Sequence, residues 1–520
     1  MTRRGRLRIM ICVCFCGKNL SIQGKHRRSG AAELPLAHFY FSISAAIHQG
    51  ETGRCSRRGM EYHMADFSNY LSPGRKGHLV GIGGVSMSSL AEVLLGMGIG
   101  ITGSDMNEGS NVQALRDKGI PVTIGHRAEN VAEDTEFLVR TAAVHDDNPE
   151  IIRARELGIP VFERTQAWGA ISRDYSNALC VSGTHGKTTT TSMCTHILMA
   201  ADRDPTVMIG GTLPLLKAGH RVGHGNTIVM EACEYYNSFL SFHPTVAVIL
   251  NIEADHLDFF KDLEDVEHSF RLFASRVPED GYVVANYDDA NTMKTLAGLD
   301  RKMITFGLSP EADIYAENVT FLGANTTFDI MYKGKRFTDV TLHVPGIHNV
   351  KNALAATAAV ICLGVRPNAV KYGLAGFNGA GRRFEFKGKY NGADVYDDYA
   401  HHPGELKVLL DTVEALNYQR TVLVFQPHTY SRTAALFEDF VEQLRRPDVT
   451  ILAEIFAARE QNTIGISSAD LCERLDGATF YPTFAELEEA LRQTAQPGDI
   501  ILTVGAGDVY KIGENLVRQE

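Results

Sequence analysis

The residues with the plainest chemistry are Gly183-Thr184-His185-Gly186-Lys187-Thr188-Thr189, a run suited to holding a nucleotide triphosphate. In such a loop the glycines let backbone N–H groups close around phosphate oxygens, and the helix that follows adds its positive dipole end. Lys187 can reach the outer phosphates and Thr188 can hold Mg2+. The pattern is a shortened G-T-x-G-K-T, because the full G-x-x-x-x-G-K-[ST] form needs glycine where Val181 stands. A plain glycine turn would explain Gly183 and Gly186, but not Lys187 and Thr188 in register after an apolar run.

Other polar residues fall where strand ends would converge on that loop. Ile228-Val229-Met230-Glu231 reads as a buried strand ending in a carboxylate, and Val246 to His256 as another ending in a polar cluster. Glu231 and His256 would suit Mg2+ on ATP phosphates, with water completing the shell; a structural role is the alternative for His256. Asn349 and Asn352 are three apart, so they share a helical face from which carboxamides can read an adenine edge or a ribose, or Asn349 simply caps the helix. Near the C-terminus, Arg382-Arg383, Asp397-Asp398, His401-His402, His428 and Arg432 gather beside a glycine turn and at strand ends. Earlier, Gly81-Ile82-Gly83-Gly84 follows an apolar run, with Ser104-Asp105 about 20 residues on, as in a dinucleotide fold. Ser86 replaces the third glycine of that fingerprint, which weakens a reading as an NAD site while leaving diphosphate binding at the helix N-terminus.

The elements needed to hold these groups are alternating strands and helices. Asn177 to Val181 predicts a strand into the phosphate loop and Thr189 to Ala201 a helix out of it, and similar units precede and follow. A length of 520 residues implies roughly three domains. The patterns divide them at 74–175, 176–375 and 376–520, with glycines from Gly373 to Gly381 as a hinge before the last. Residues 1–63 lack periodicity and are expected to be a poorly ordered extension. They begin like a signal peptide, but the downstream need for a cytoplasmic nucleotide argues against export. A net charge of −11 disfavours nucleic acid as partner, and no apolar run reaches bilayer length. Nine scattered cysteines form neither a disulfide framework nor a C-x-x-C site, which fits a reducing cytoplasm.

In this order, Gly81-Ile82-Gly83-Gly84 with Met87, the phosphate loop, Glu231-Ala232-Cys233-Glu234, Asn251-Ile252 with Asp255-His256, His348-Asn349-Val350 with Asn352, Arg382-Arg383-Phe384 and Asp397 to Pro403 resemble the Mur ligases over about residues 74–515. The resemblance implies an α/β fold of three domains. The first and last would be Rossmann-like, and the central one a phosphate-loop ATPase with a mostly parallel sheet. It implies the branch that joins L-alanine to the lactyl carboxylate of UDP-N-acetylmuramate for peptidoglycan, with ATP and Mg2+, through an acyl phosphate. By the same resemblance, Lys187, His256, Arg383 and Asp398 are catalytic. Gly183, Thr184, His185, Gly186, Thr188, Thr189, Asn349 and Asn352, with Lys187, Arg383 and Asp398, hold ATP. Thr188, Glu231 and His256 hold metal, and Gly81, Gly83, Gly84, Ser104, Asp105, His402, His428 and Arg432 hold the other substrates. The resemblance implies a monomer or homodimer without membrane insertion. Phe270 stands where several Mur ligases carry a carbamylated lysine, and Cys233, Tyr235 and Tyr236 replace the aspartates and serine of a common E-A-D-E-S-D run.

Rivals remain open at this stage. They are a sibling ligase that attaches a recycled murein tripeptide, a folylpolyglutamate synthetase, an NAD-dependent dehydrogenase and a non-enzymatic ATP-gated module. The dehydrogenase would leave Lys187, Glu231 and His256 without a task.

Overall fold

Apolar stretches short enough for strands and separated by helical segments build three sheets in succession. The structure, a computed structural model, describes residues 66–257, 259–458 and 460–518; the extension expected over 1–63 lies outside the described residues. The first sheet has five parallel strands, β1 (Lys76–Val80), β2 (Gly100–Asp105), β3 (Val122–Ile124), β4 (Phe137–Arg140) and β5 (Val161–Glu163), in the order β3-β2-β1-β4-β5. The order reverses at β1, and an open parallel sheet offers its ligand crevice beyond such a strand. Gly81, at φ 77°, makes the turn out of β1 into the helix Val85–Gly96.

The central sheet has ten strands: β6 (Asn177–Ser182), β7 (Thr206–Leu213), β8 (Ala218–Arg221), β9 (Thr227–Glu231), β10 (Val246–Ile249), β11 (Tyr282–Asn286), β12 (Lys302–Gly307), β13 (Ile314–Leu322), β14 (Asn325–Tyr332) and β15 (Lys335–Leu342). Their order is β15-β14-β13-β12-β11-β10-β6-β9-β7-β8, parallel from β13 to β7 and antiparallel at both edges. The edge hairpins are an addition to the sequence reading. One of them had a signal: Lys333 and Gly334 both take positive φ, 50° and 74°, as a two-residue hairpin turn of primed type requires.

The third sheet comprises β16 (Glu385–Tyr390), β17 (Ala393–Asp398), β18 (Arg420–Phe425), β19 (Val449–Ala453), β20 (Thr479–Tyr481) and β21 (Asp499–Val504), in the order β16-β17-β21-β18-β19-β20, with β16 alone antiparallel.

Alternation along β6 sends its side chains into two different cores. Ala178 and Cys180 join one that also contains Leu79, Phe137 and Trp168 of the first sheet's layer, so the first two domains share a hydrophobic core. Leu179 and Val181 join the opposite core, under the helices Lys187–Ala200 and Ile347–Ile361. The third sheet has its own cores on its two faces. No helix among the described residues is long and apolar enough to cross a membrane.

Candidate functional site

The phosphate loop leaves the end of β6, and its glycines are tightly enclosed. A Cβ on Gly186 (φ 86°) would stand 2.6 Å from Asn352 Oδ1, and one on Gly183 (φ 140°) 2.8 Å from Leu250 Cβ. Gly186 caps the helix Lys187–Ala200, so helix begins at Lys187, two residues before the expected start. The carboxamide of Asn251, just beyond β10, pins the loop: its Oδ1 accepts from His185 N–H at 2.7 Å and its Nδ2 donates to the His185 carbonyl at 3.1 Å.

Lys187 Nζ donates to the Gly183 carbonyl at 2.6 Å and to Glu234 Oε2 at 3.0 Å. Burial opposes its charge, but Glu234, Cys233 and Glu231 outweigh it and hold the ammonium protonated well above the ordinary lysine range. Thr188 Oγ1 donates to Glu231 Oε2 at 3.0 Å, and Gly210 N–H donates to the same oxygen at 2.8 Å. This hydroxyl and carboxylate fit Mg2+ only as part of a shell, because the rest of its octahedron would come from phosphate and water. No group of three or more His, Cys, Asp or Glu able to hold a metal occurs among the described residues. His256, the third expected ligand, has φ 54° and stacks on Tyr235 with ring centroids 4.3 Å apart. Phe270 is fully buried and meets the Phe239 ring edge-on at 5.2 Å.

Beside the loop, a cavity of about 240 Å³ is lined by Gly186, Thr189, Asn349, Asn352, Arg383 and Asp398 among others. Eight expected nucleotide contacts, His185, Gly186, Thr188, Thr189, Asn349 and Asn352 from the central domain and Arg383 and Asp398 from the third, therefore line one space. Gly346, not Asn349, caps the helix Ile347–Ile361, which removes the capping alternative. Asn349 Nδ2 donates to the Pro345 carbonyl at 2.7 Å, and Asn352 Oδ1 accepts from Thr190 Oγ1 at 3.3 Å. The two arginines diverge. Arg382 donates to buried Asp397 at 2.9 Å and to the Gly507 carbonyl at 3.1 Å, holding the third domain together, whereas Arg383 turns to the cavity. Asp398 accepts N–H bonds from Phe384 at 2.7 Å and Ala400 at 2.8 Å; burial, partly offset by Arg383, pushes its carboxyl up to about 6.

The third domain meets the loop through charge. His185 lies between Glu253 (3.4 Å) and Glu405 (3.3 Å). Burial opposes its protonation, but the two carboxylates raise it to about 10. Burial also opposes the Glu405 charge, yet His401, His185 and Arg383 hold that carboxyl well below its usual range. His402 caps the helix Pro403–Glu414 through its Nδ1 and tilts toward His185. His428 and Arg432 are adjacent, Nδ1 to Nη1 at 3.3 Å, and Arg432 also reaches Asp255 at 3.5 Å. Burial pushes Asp255 up, but His256 and Arg432 bring it down to about 2.

The first domain carries a separate crevice lined by Gly81, Gly83, Gly84, Asp105 and His126. Gly83 N–H donates to Asp105 Oδ2 at 2.9 Å. Ser104 is wholly buried, its hydroxyl engaged by Glu150 and His126, so it backs the crevice instead of lining it. A further crevice takes in Gly84 and Thr141 from this side and ends at Gly210, Glu231 and Cys233. A path thus runs from the glycine turn of the first domain to the carboxylate that holds Thr188.

Sequence reading missed Asn251 as the loop's clamp, Glu253 and Glu405 as partners of His185, and Glu150 with His126. Only Glu405 had a local signal: its carboxylate accepts from the backbone N–H of His402, three residues earlier, closing a capping box.

Residues 76–176 match the Mur ligase family catalytic domain, 181–360 the Mur ligase middle domain and 382–507 the Mur ligase glutamate ligase domain. A UDP-N-acetylmuramate--L-alanine ligase of Agathobacter rectalis is 46% identical over 447 residues, 85% of this chain and 97% of that one. The chain belongs to the Mur ligase family. Among solved structures, this Mur ligase is similar to the UDP-N-acetylmuramate-alanine ligase MurC of Thermotoga maritima, with TM-score 0.73, 30% identity and coverage of 85% of this chain and 98% of that one. A murein peptide ligase from Psychrobacter arcticus shares the fold at TM-score 0.66 and 22% identity, covering 86% of this chain and 98% of that one. The three-domain α/β architecture and the mostly parallel central sheet expected for a Mur ligase are present.

Proposed function

We infer that this Mur ligase joins L-alanine to the lactyl carboxylate of UDP-N-acetylmuramate at the expense of ATP, in the cytoplasm. The observation that carries the reading is the path from the Gly81–Gly84 crevice to Glu231, in a chain 46% identical to an L-alanine ligase of that sugar nucleotide. The UDP end lies in the 74–175 domain, ATP in the 176–375 domain, and the amino acid against the 376–520 domain.

In the first step a lactyl carboxylate oxygen attacks the γ-phosphorus, the bond to the β-bridging oxygen breaks, and ADP leaves. In the second, the amine of alanine adds to the acyl phosphate carbon and phosphate departs from the tetrahedral intermediate as the amine loses its proton. Lys187 exchanges its bonds to Gly183 and Glu234 for the γ-phosphate, whose charge it neutralises. Asn349 and Asn352 orient adenine, while Arg383 and Asp398 reach the nucleotide from the third domain. Thr188 and Glu231 would hold one Mg2+ and His256 would help to hold a second, and the metal would supply neutralisation of the phosphate charge. Arg432, beside His428 and near the His401-His402 pair, binds the alanine carboxylate as a guanidinium pairs with a carboxylate.

Phosphate release tests this reading. It is expected only when UDP-N-acetylmuramate and L-alanine are both present with ATP. Release that instead requires a murein tripeptide in place of alanine assigns the chain to the sibling activity.

A further inference from the structure

Behind the glycine crevice of the first domain lies a carboxylate that the ligation chemistry does not use. Glu150, on the helix Pro149–Glu156, is wholly buried. Its Oε1 accepts from Asn130 Nδ2 and, at 3.4 Å, from Arg127 N–H. Its Oε2 accepts from Ser104 Oγ at 2.6 Å and stands 3.3 Å from His126 Nδ1 and 3.8 Å from His78 Nε2. A fully buried carboxylate is costly unless its partners repay the lost hydration, and this one has several from three other segments of chain. Burial opposes its ionisation, yet His78, Ser104 and Asn130 hold it below the ordinary glutamate range.

An ionised carboxylate can only accept, which sets the direction of the whole chain of bonds. Ser104 must donate to Glu150, so its lone pair is left to accept from His126, 3.0 Å away, and Nδ1 of that imidazole carries a proton. The opposite edge of the ring, with Nε2, is the edge left for the crevice that His126 helps to line. A neutral ring held this way would present a bare lone pair there. An anion in the crevice, however, would flank the ring with negative charge on both edges, and the imidazolium, with N–H on each edge, is the form that suits both. His78 does not line that crevice; it is buried, with Nδ1 bound to Thr102 at 2.8 Å. Asp105 is the acid on the crevice wall, and its Oδ2 is occupied by Gly83 N–H.

We propose that Glu150, acting through Ser104, is a positioning residue that holds His126 ready to take up a proton and grip the diphosphate of the nucleoside-diphosphate sugar. The proposal rests on the reading of this crevice as the sugar-nucleotide site. It assigns to buried residues remote from the phosphate loop a share of the substrate affinity and couples that affinity to a proton.

The test is titration calorimetry of the full chain with UDP-N-acetylmuramate near pH 8, in two buffers of different ionisation enthalpy. The wild-type protein is expected to take up protons as the diphosphate binds. Glu150→Gln is expected to abolish that uptake and raise KM for the sugar nucleotide about tenfold, the effect of losing one charge-assisted bond. kcat and KM for ATP should stay near wild type, a split that general loosening of the fold would not produce. His126→Gln, which leaves the buried Glu150 and its bonds to Ser104 and Asn130 in place, should lose the same proton and affinity, so the proposal stays testable if the buried variant folds poorly. Wild-type binding without proton uptake, or unchanged uptake and KM in Glu150→Gln, overturns the proposal. Failure of the wild-type protein to bind UDP-N-acetylmuramate at all would overturn instead the reading of the crevice.

Discussion

The central domain has two neighbours and holds them by different means. Against the first domain it places apolar surface in a shared core, in which Leu79, Phe137 and Trp168 from one side meet Ile228, Met230 and Phe239 from the other. Gly169 comes so close to the Ser241 carbonyl that a Cβ there would lie 2.1 Å from its oxygen. Against the third domain the contacts are polar: His185 with Glu405, Arg432 with Asp255, and Gly381 N–H with the Thr212 carbonyl at 2.8 Å. Buried apolar area is worth about 25 cal/mol per Å² and is lost on separation, whereas ion pairs and single hydrogen bonds are replaced by water and substrate at little net cost. The first two domains therefore form one body with the Gly81–Gly84 crevice fixed relative to the phosphate loop, and the third is the part expected to move. A mobile third domain suits an acyl phosphate, which must be shielded from water once formed and opened for release.

The largest effect expected at the junction of the two seams is that of Lys187→Ala. Turnover should fall by about 10² to 10³ or more, as when a preorganised charge contact to the transition state is removed. Circular dichroism and the fluorescence of Trp168, the sole tryptophan, should stay native. Near-wild-type turnover would detach the chemistry from this loop.

Gly169→Ala tests the apolar seam. Overpacking against Ser241 should destabilise the protein by about 1–3 kcal/mol, and Trp168 should report a single transition that carries both domains down together. A separate early transition of the first domain would break the claim of one body.

The charged seam is expected to respond to pH. His185 is raised when folded, to about 10 from an ordinary value near 6.5, so its contribution is complete below about 6.5 and is lost as pH climbs toward 10. Glu405 is lowered, so its contribution is present above the ordinary glutamate value and disappears only in acid. Docking of the third domain should therefore be tightest near pH 5 to 6.5 and loosen through pH 10, while the apolar seam is unaffected. Solution scattering across that range, with Trp168 fluorescence as the control, checks it; an unchanged radius of gyration counts against the charged bridge.

The smallest effect is the compaction of apo protein when an ATP analogue and UDP-N-acetylmuramate are both bound, again by scattering. The expected swing pivots at Gly379 and Gly381, which follow the helix Pro367–Ala375. Gly379 has φ 103° and open surroundings, but Gly373 does not belong to the hinge: a Cβ there would meet the Ile197 backbone at 2.5 Å. Equal radii with and without ligands would sink the swing.

What the sequence determined by itself is what neighbouring residues decide. Gly183 to Thr188 specify the phosphate loop because its conformation, charge and hydroxyl lie within six consecutive positions, and short continuous apolar runs mark Asn177–Ser182 and Val246–Ile249 as buried strands. Asn349 and Asn352 were legible for the same reason, since a helix repeats every 3.6 residues. The tertiary structure decided the rest. Arg382 and Arg383 are adjacent and alike, yet only packing of the third domain assigns one to Asp397 and the other to the cavity beside the phosphate loop. His185 and Glu405 are joined only when two sheets meet. Ser104 and Glu150 lie 46 positions apart, and although Ser104 was singled out beside the glycine turn, nothing in the sequence pairs it with Glu150. No local period links such partners; they come together because burial of apolar layers elsewhere fixes where their strands and helices end.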